Sequence, residues 1–278
     1  MLQHRRLALI ALTLAVLAAP VAPAAASCND EPAPGVDWSG CEKRKLSLRG
    51  NDLQGADLSK SELGRTDLRE AVLAGANLDE AHLGLAALAG ADLSGASLAK
   101  AELNRSGLKE ADLSGADLSG AELSRAELVG AKLAESNLEK AYLGRADLTS
   151  ADLSGARLGK ASAPRAVFDA ADLSGADLVK SELGRASLIE ANLTGARLDQ
   201  AYLAYADLRS AQLRDASLDG AVLYLARLEG ADLSGASGLV QRQLDEACGD
   251  QTTRLPEGLA MPQHWPCPPP PEDEDEDD

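Results

Sequence analysis

The chain has 278 residues, a formal net charge of −17 at pH 7 and only 3% aromatic residues. A strongly acidic protein is repelled by nucleic-acid phosphates and by anionic lipid surfaces, which excludes nonspecific binding to either. So few aromatic residues also exclude a stacking platform for bases. The composition favours a soluble protein whose partner, if it has one, is a protein with basic groups.

Residues 1–26 have the pattern of a secretory signal peptide. The segment begins with an arginine pair, continues with 13 apolar residues from Leu7 to Ala19, and ends in an A-x-A site before Ser27. The apolar run is too short to span a bilayer. We therefore predict a periplasmic or secreted protein with no membrane insertion after cleavage. Lipidation of Cys28 is an alternative.

Leucine occupies nearly every fifth position between residues 48 and 233. Of these 38 positions 36 are Leu, and the exceptions are Ala163 and Phe168. From Ala56 onward, the residue two places before each of them is always Ala, Ser or Thr. A five-residue period would spread around an α-helix and alternate between the two sides of a flat strand. The period therefore predicts an array that turns a corner once per pentad, so that every Leu points inward.

The corner residues also repeat at a spacing of twenty. The second residues after each Leu, read twenty apart, form four columns. One column is mostly Gly, and another has Lys at five positions. A third, called the Arg column here, contains Arg65, Arg105, Arg125, Arg145, Arg165 and Arg185. Four pentads per coil is the simplest explanation. The 38 pentads then make about nine and a half coils. At roughly 4.8 Å per coil, the rod is about 45 Å long.

The pentads resemble those of the pentapeptide-repeat family. Ala91-Asp92-Leu93-Ser94-Gly95 and Ala171-Asp172-Leu173-Ser174-Gly175 carry the family pattern, and the resemblance covers residues 46–235. It implies an all-β fold, namely a right-handed quadrilateral parallel β-helix. The handedness is implied by the family alone.

Both flanks of the repeat look like caps, because an open β-helix exposes strand edges at its ends. Upstream, residues 27–45 include Trp38 in a Leu position, and we expect Trp38 to cover the first coil. Downstream, residues 236–267 resemble the end segment of many exported members of the family, with a short amphipathic helix predicted from Leu239 to Ala247. Residues 268–278 are Pro-rich and then acidic, which predicts a disordered, solvated tail; binding of Ca²⁺ or of a basic partner is the alternative.

Four cysteines lie outside the repeat, two at each end: Cys28, Cys41, Cys248 and Cys267. The ends of the predicted rod are too far apart to be bridged within one rod, which leaves the pairs Cys28–Cys41 and Cys248–Cys267. A metal site is the weaker alternative, because no C-x-x-C motif occurs. Local disulfides indicate an oxidising compartment.

The Arg column is the candidate binding face. Glu residues precede several Leu residues on the same side, so Glu and Arg alternate there. One interpretation is a solvated ladder of ion pairs of little energetic value. The other is a face for an anionic polymer or a protein. Near the C-terminal end of this face, Tyr202, Tyr205 and Tyr224 predict a partner or dimer contact, with packing under the cap as the alternative. The sequence does not distinguish a monomer from a homodimer.

Ala163, Pro164 and Phe168 interrupt the Leu pattern at one place. Volume compensation, in which Phe168 fills space left by Ala163, is one explanation. A kink that shapes a binding notch is the other.

The sequence has no nucleophile elbow, no zincin motif and no phosphate-binding glycine loop, so we expect no enzyme, no metal and no cofactor. We predict a non-enzymatic exported rod that binds a protein or serves as a scaffold. Some members of the resembled family mimic DNA and inhibit DNA gyrase, which gives one alternative. A stress-related structural protein with no specific ligand is another.

Overall fold

The computed structural model describes residues 27–266, in which the chain winds into coils of twenty residues. Each coil has four sides, and one residue at the centre of each side forms a parallel bridge with the residue one coil later. The bridges form four stacks, called faces 1 to 4 here. Their bounds are Asp37–Ser237 for face 1, Glu42–Val222 for face 2, Ser47–Cys248 for face 3 and Asp52–Arg254 for face 4. The coil length agrees with the spacing of the corner columns.

The regular winding begins at Val36 rather than at residue 46. Residues 36–45 form the first two sides of the solenoid, so only the preceding residues lie outside it. Residues 36–235 therefore make ten coils of twenty residues, about half a coil more than the Leu pattern predicts. The difference arises because Trp38 and Lys43 stand at Leu positions, so the first two pentads were assigned to the cap although Trp38 keeps the pentad register.

Every corner is a tight turn with the same backbone geometry. The amide of Ala56 donates to the carbonyl of Leu53 at 3.0 Å, and the residue between them at the corner, Gly55, has φ of +63°. Every fifth residue from Gly40 to Gly235 has positive φ, and 25 of these residues are not glycine. An L-residue in this conformation costs about 1–2 kcal/mol, which the bridges on both sides of each corner offset.

The outward Asp of the pentad stabilises the corner that follows it. The Oδ1 atom of Asp57 accepts the amide of Ser59 at 3.0 Å, and the same contact joins Asp117 to Ser119. A carboxylate that accepts the amide two residues later is the usual Asx turn. This contact explains why Asp recurs between the inward Ala and Leu.

The interior is a stack of Leu side chains with small residues beside them. Every Leu of the five-residue pattern is at most 3% exposed, and Ala163 and Phe168 are equally buried. Each buried Leu contributes on the order of 1.5–3 kcal/mol before the loss of chain entropy. Bridges continue unbroken through the coil of Ser162 and Val167, so Pro164 introduces no kink.

The first coil is closed by Trp38 and by the residues before it. Trp38 is 1% exposed, and the Lys43 Nζ lies 3.6 Å from the centre of its ring. Burial lowers the pKa of Lys43, although nearby acids oppose the effect. Cys28 and Cys41 are joined by a disulfide with Cα atoms 5.4 Å apart, which is incompatible with lipidation of Cys28.

The last coil is covered by a cap that contains α1, Gln241–Asp245. This helix is shorter than the predicted Leu239–Ala247 span. The side-chain amide of Gln243 donates to the carbonyls of Leu218 and Ala221, at 3.0 and 2.8 Å, which satisfies acceptors of the open edge. Cys248 and Arg254 extend faces 3 and 4 by one further bridge each.

Asp232 ties the last coil to the cap. Burial alone would raise the pKa of Asp232, but hydrogen bonds from Ser234 and Arg214 outweigh it and lower that pKa to about 2. The Arg214 Nε lies 2.7 Å from Asp232 Oδ2, and an Arg254 nitrogen approaches the same oxygen at 3.4 Å. The ionised carboxylate thus joins two cations from the layers on either side of it.

Cys248 is disulfide-bonded. Its predicted partner Cys267, the predicted signal peptide 1–26 and the predicted tail 268–278 lie outside the described residues. No helix between residues 27 and 266 is both long and apolar enough to cross a membrane.

Candidate binding face

Face 2 carries the predicted site, and its two corners carry the cationic columns. The corner before it holds Lys60, Lys100, Lys140, Lys160 and Lys180, and the corner after it holds Arg65, Arg105, Arg125, Arg145, Arg165 and Arg185. Because both sets repeat at the coil length, their members stack about 4.8 Å apart along the rod. All six arginines are exposed.

The predicted ladder of ion pairs does not form. None of the six arginines has a carboxylate within 4.0 Å in the described part of the chain. The glutamates of face 2 contact groups one coil away instead. Their partners are Arg44 for Glu62 at 2.6 Å, His82 for Glu102 at 2.7 Å, Asn104 for Glu122 at 2.8 Å and Ser162 for Glu182 at 3.0 Å. The Arg column is therefore left without acidic partners.

A groove lies at the first-coil end of face 2, and sequence reasoning missed it. It measures about 640 Å³ and is lined by Arg44, Lys45, Glu62, Gly64, Arg65, His82, Gly84 and Glu102. The groove is deep because Gly64 and Gly84, which have no side chains, stand at the same corner position of two successive coils. The next two coils have Asn104 and Ser124 at that position. That pair of glycines twenty residues apart is the sequence signal that could have indicated the groove.

His82 lies on the wall of this groove between two carboxylates. Its Nδ1 is 2.7 Å from Glu102 and its Nε2 is 3.9 Å from Glu62. The hydrogen bond with Glu102 raises the pKa of His82, against the opposing effect of burial. The imidazole is thus held towards its charged form by a neighbour on the same face.

An aromatic cluster occupies the other end of face 2. The rings of Tyr205 and Tyr224 meet edge to face with centroids 5.6 Å apart, and the Arg185 guanidinium lies 5.4 Å from the Tyr205 ring centre. The Tyr202 ring covers Gly184 so closely that a Cβ there would be 3.0 Å from it. Each of the three tyrosines is 47% exposed, so the cap does not cover them.

The described residues hold no arrangement of three or more His, Cys, Asp or Glu side chains that could bind a metal ion. The ionisable groups of face 2 are spread along one side of the rod. The arrangement can bind anionic and aromatic groups, and it resembles a contact surface more than a catalytic pocket.

Comparison with known proteins identifies the family to which the repeat belongs. The family described as Pentapeptide repeats matches in eight copies, over residues 52–86, 86–125, 126–162, 166–203 and 201–237. HetL, a pentapeptide repeat protein involved in heterocyst differentiation regulation in the cyanobacterium Nostoc sp., is 36% identical. The match covers 71% of this chain and 89% of HetL, with a TM-score of 0.36.

Two further solved structures are more distant. QnrB1, a plasmid-mediated fluoroquinolone resistance protein, is 23% identical over 65% of this chain and 89% of its own, with a TM-score of 0.36. A pentapeptide repeat protein of the Arabidopsis thaliana thylakoid lumen is 26% identical over 50% and 77% of the two chains, with a TM-score of 0.24. No curated protein matches the sequence significantly. The family matches and the HetL identity show that this chain belongs to the pentapeptide-repeat family, which implies a right-handed β-helical solenoid.

Proposed function

We propose that this protein is a non-enzymatic, exported rod that binds a protein partner, or serves as a structural scaffold, through face 2. The observation that carries the proposal is the combination, on one face, of arginines that have no acidic partner among the described residues with half-exposed tyrosines. Arginine and aromatic side chains contribute most of the binding energy in protein interfaces. The bridges of every coil hold their backbone rigidly, which lowers the ordering cost of association.

Location outside the cytoplasm forms part of this proposal. It is supported by the disulfide between Cys28 and Cys41, because disulfides persist in oxidising compartments. The test is the intact mass of protein from fractionated cells, with and without reduction and alkylation. A chain that starts at Ser27 and has no free thiol supports export. A full-length cytoplasmic chain with four free thiols would overturn it and favour DNA mimicry.

The acidic charge of the rod is the observation that favours the DNA-mimic alternative. Removing the two arginines of residues 1–26 and the seven acids of residues 272–278 from the total of −17 leaves about −12 on the body. A mimic of the DNA backbone needs acidic groups along its binding surface. Face 2 interrupts the acidic surface with a column of six exposed arginines, which makes this alternative the weaker one.

Affinity capture with matched variants tests the binding role. The bait is the oxidised protein, incubated with periplasmic and secreted proteins of the source cell. Tyr202→Ser, Tyr205→Ser and Tyr224→Ser are combined in one variant, and Tyr142→Ser is the control because Tyr142 is 55% exposed on the same face but outside the cluster. We expect a protein that the wild type and control retain and the triple variant loses. Equal retention by all three, or by none, would contradict binding at this cluster, and the second result would favour a structural protein without a ligand.

A further inference from the structure

On face 2, two isolated coils are cationic at both corners, those of Lys60 with Arg65 and of Lys100 with Arg105. Three such coils follow one another at a single place, through Lys140 and Arg145, Lys160 and Arg165, and Lys180 and Arg185. We call these six residues the basic patch. The central positions between the corners are Tyr142, Ser162 and Glu182, so two of the three coils have no central charge. In the earlier coils of face 2, a glutamate or a histidine occupies that position.

No group in the described structure neutralises the basic patch. None of its six cations has a carboxylate within 4.0 Å among residues 27–266, and Glu182 accepts a hydrogen bond from Ser162. Two acids on or next to face 1 pair with arginines of face 1. Glu139 binds Arg157 at 3.0 Å and Asp177 binds Arg197 at 3.1 Å. Like charges stacked about 4.8 Å apart repel each other, so a bound anion would relieve that repulsion.

The same chain contains a complementary segment. Residues 272–278 are seven consecutive acids that follow the prolines 268–271, and they lie outside the described residues. The last described residues are anchored beside face 2. The Trp265 Nε1 donates to the Ala247 carbonyl at 2.8 Å, and the neighbouring Glu246 carbonyl accepts the amide of Leu225 at 2.7 Å. Leu225 stands in the corner column that contains the arginines of the patch.

The distances allow contact within one chain. Cys248 forms the bridge with Arg227 that ends face 3, which gives its height along the rod. At that height it is three coil spacings from Arg185, roughly 14 Å, and five from Arg145, roughly 24 Å. The 12 residues 267–278 can extend over at most about 43 Å. The level of Lys60 is nine spacings away, roughly 43 Å, which only a fully extended segment could span, so contact there should be far rarer than contact with the patch.

We propose that the acidic segment 272–278 binds to the basic patch of its own chain. Tethering gives the segment an effective concentration in the millimolar range, so weak ion pairs suffice. The bound segment excludes other acidic groups from the centre of face 2, and an acidic partner must displace it. This inference does not depend on the proposed partner, because it concerns two parts of one chain.

Carbodiimide cross-linking of the full exported protein tests the contact, since the reagent couples carboxylates to lysine amines. An equal mixture of ¹⁵N-labelled and unlabelled chains distinguishes contacts within a chain from contacts between copies. We expect cross-links from residues 272–278 to Lys140, Lys160 and Lys180, with both peptides carrying the same label, and loss of these products in about 1 M salt, where charges are screened within about 3 Å. Absence of the products, equal cross-linking to Lys60, or mixed labels would overturn the proposal.

Arginine variants then test whether charge directs the contact, while the lysines remain as reporters. Combining Arg145→Gln, Arg165→Gln and Arg185→Gln removes half of the patch charge. The control combines Arg65→Gln, Arg105→Gln and Arg125→Gln, which are exposed members of the same column. We expect a severalfold lower cross-link yield at Lys160 in the first variant and an unchanged yield in the second. Equal yields in both variants would overturn the proposal, and unchanged thermal unfolding verifies that both fold.

Discussion

Four buried serines on the inner side of the solenoid provide a paired test of its energetics. The hydroxyls of Ser61 and Ser106 donate to the carbonyls of Leu58 and Leu103, at 2.6 and 2.7 Å. The hydroxyls of Ser136 and Ser181 have no hydrogen-bond partner within the described residues. All four side chains are at most 1% exposed. The same Ser→Ala change should therefore have opposite effects on stability in the two pairs.

The magnitudes follow from what each hydroxyl contacts. A buried hydroxyl without a partner costs about 1–3 kcal/mol, so Ser136→Ala should stabilise the fold by about 1 kcal/mol. The methyl group fits, because Ala occupies the equivalent position in most coils. Ser106→Ala loses a hydrogen bond worth about 0.5–1.5 kcal/mol. The Leu103 carbonyl keeps the amide of residue 106 at 3.1 Å, so no acceptor is left unpaired and the cost should be about 0.5–1 kcal/mol.

Urea unfolding of the oxidised protein measures the difference. Repeat proteins can unfold in stages, and a change in the m-value would indicate such behaviour. The urea midpoints of wild type and variant are therefore compared only where their m-values agree. We expect the free energies of unfolding of the Ser136→Ala and Ser106→Ala variants to differ by about 1.5–2 kcal/mol. Ser181→Ala and Ser61→Ala should repeat the two signs. If all four variants shift in the same direction, the hydrogen-bond reasoning is wrong.

Three further predictions use the same unfolding assay. Phe168→Leu should lose about 1–1.5 kcal/mol by opening a cavity, and adding Ala163→Leu should restore it; a double variant no more stable than the single one would rule out volume compensation. Leu85→Gly should raise the free energy of unfolding by about 0.5–1 kcal/mol, because it relieves positive φ at an exposed corner. Gly55→Ala should lower it by about 1 kcal/mol, and equal effects of the two changes would refute the strain argument. Because the pKa of Asp232 is lowered, its contribution to stability is complete above about pH 4 and is lost as the pH falls towards 2. Over that interval the free energy of unfolding of the wild type should fall by on the order of 1–2 kcal/mol more than that of Asp232→Asn. Parallel pH profiles of the two proteins would contradict this prediction.

Much of the fold could be predicted because the information in a solenoid is local and repeated. Leu at every fifth residue requires a corner per pentad, and corner types that recur every twenty residues indicate four sides per coil. The start of the winding was placed ten residues late. The sequence shows that Trp38 keeps the pentad register in a Leu position, and the bridge from Asp37 to Asp57 shows that the backbone already winds there.

The candidate site was only partly predictable. The sequence placed the arginines and glutamates of face 2 on one side, because residues twenty apart must stack. It could not show which pairs form, because that depends on the direction in which each side chain extends. Glu102 reaches His82 in the neighbouring coil and Glu62 reaches Arg44, and these contacts leave the Arg column unpaired.

The sequence by itself determined the coil, its inward residues and the columns on its surface, since each follows from a spacing along the chain. The tertiary structure alone decided how the edges are closed and which charges remain free. Gln243 reaches the carbonyls of Leu218 and Ala221 across 25 and 22 residues, and no periodic pattern specifies such a contact. The physical reason is that periodicity fixes the backbone register, whereas ion pairs and caps depend on side-chain geometry between neighbouring layers.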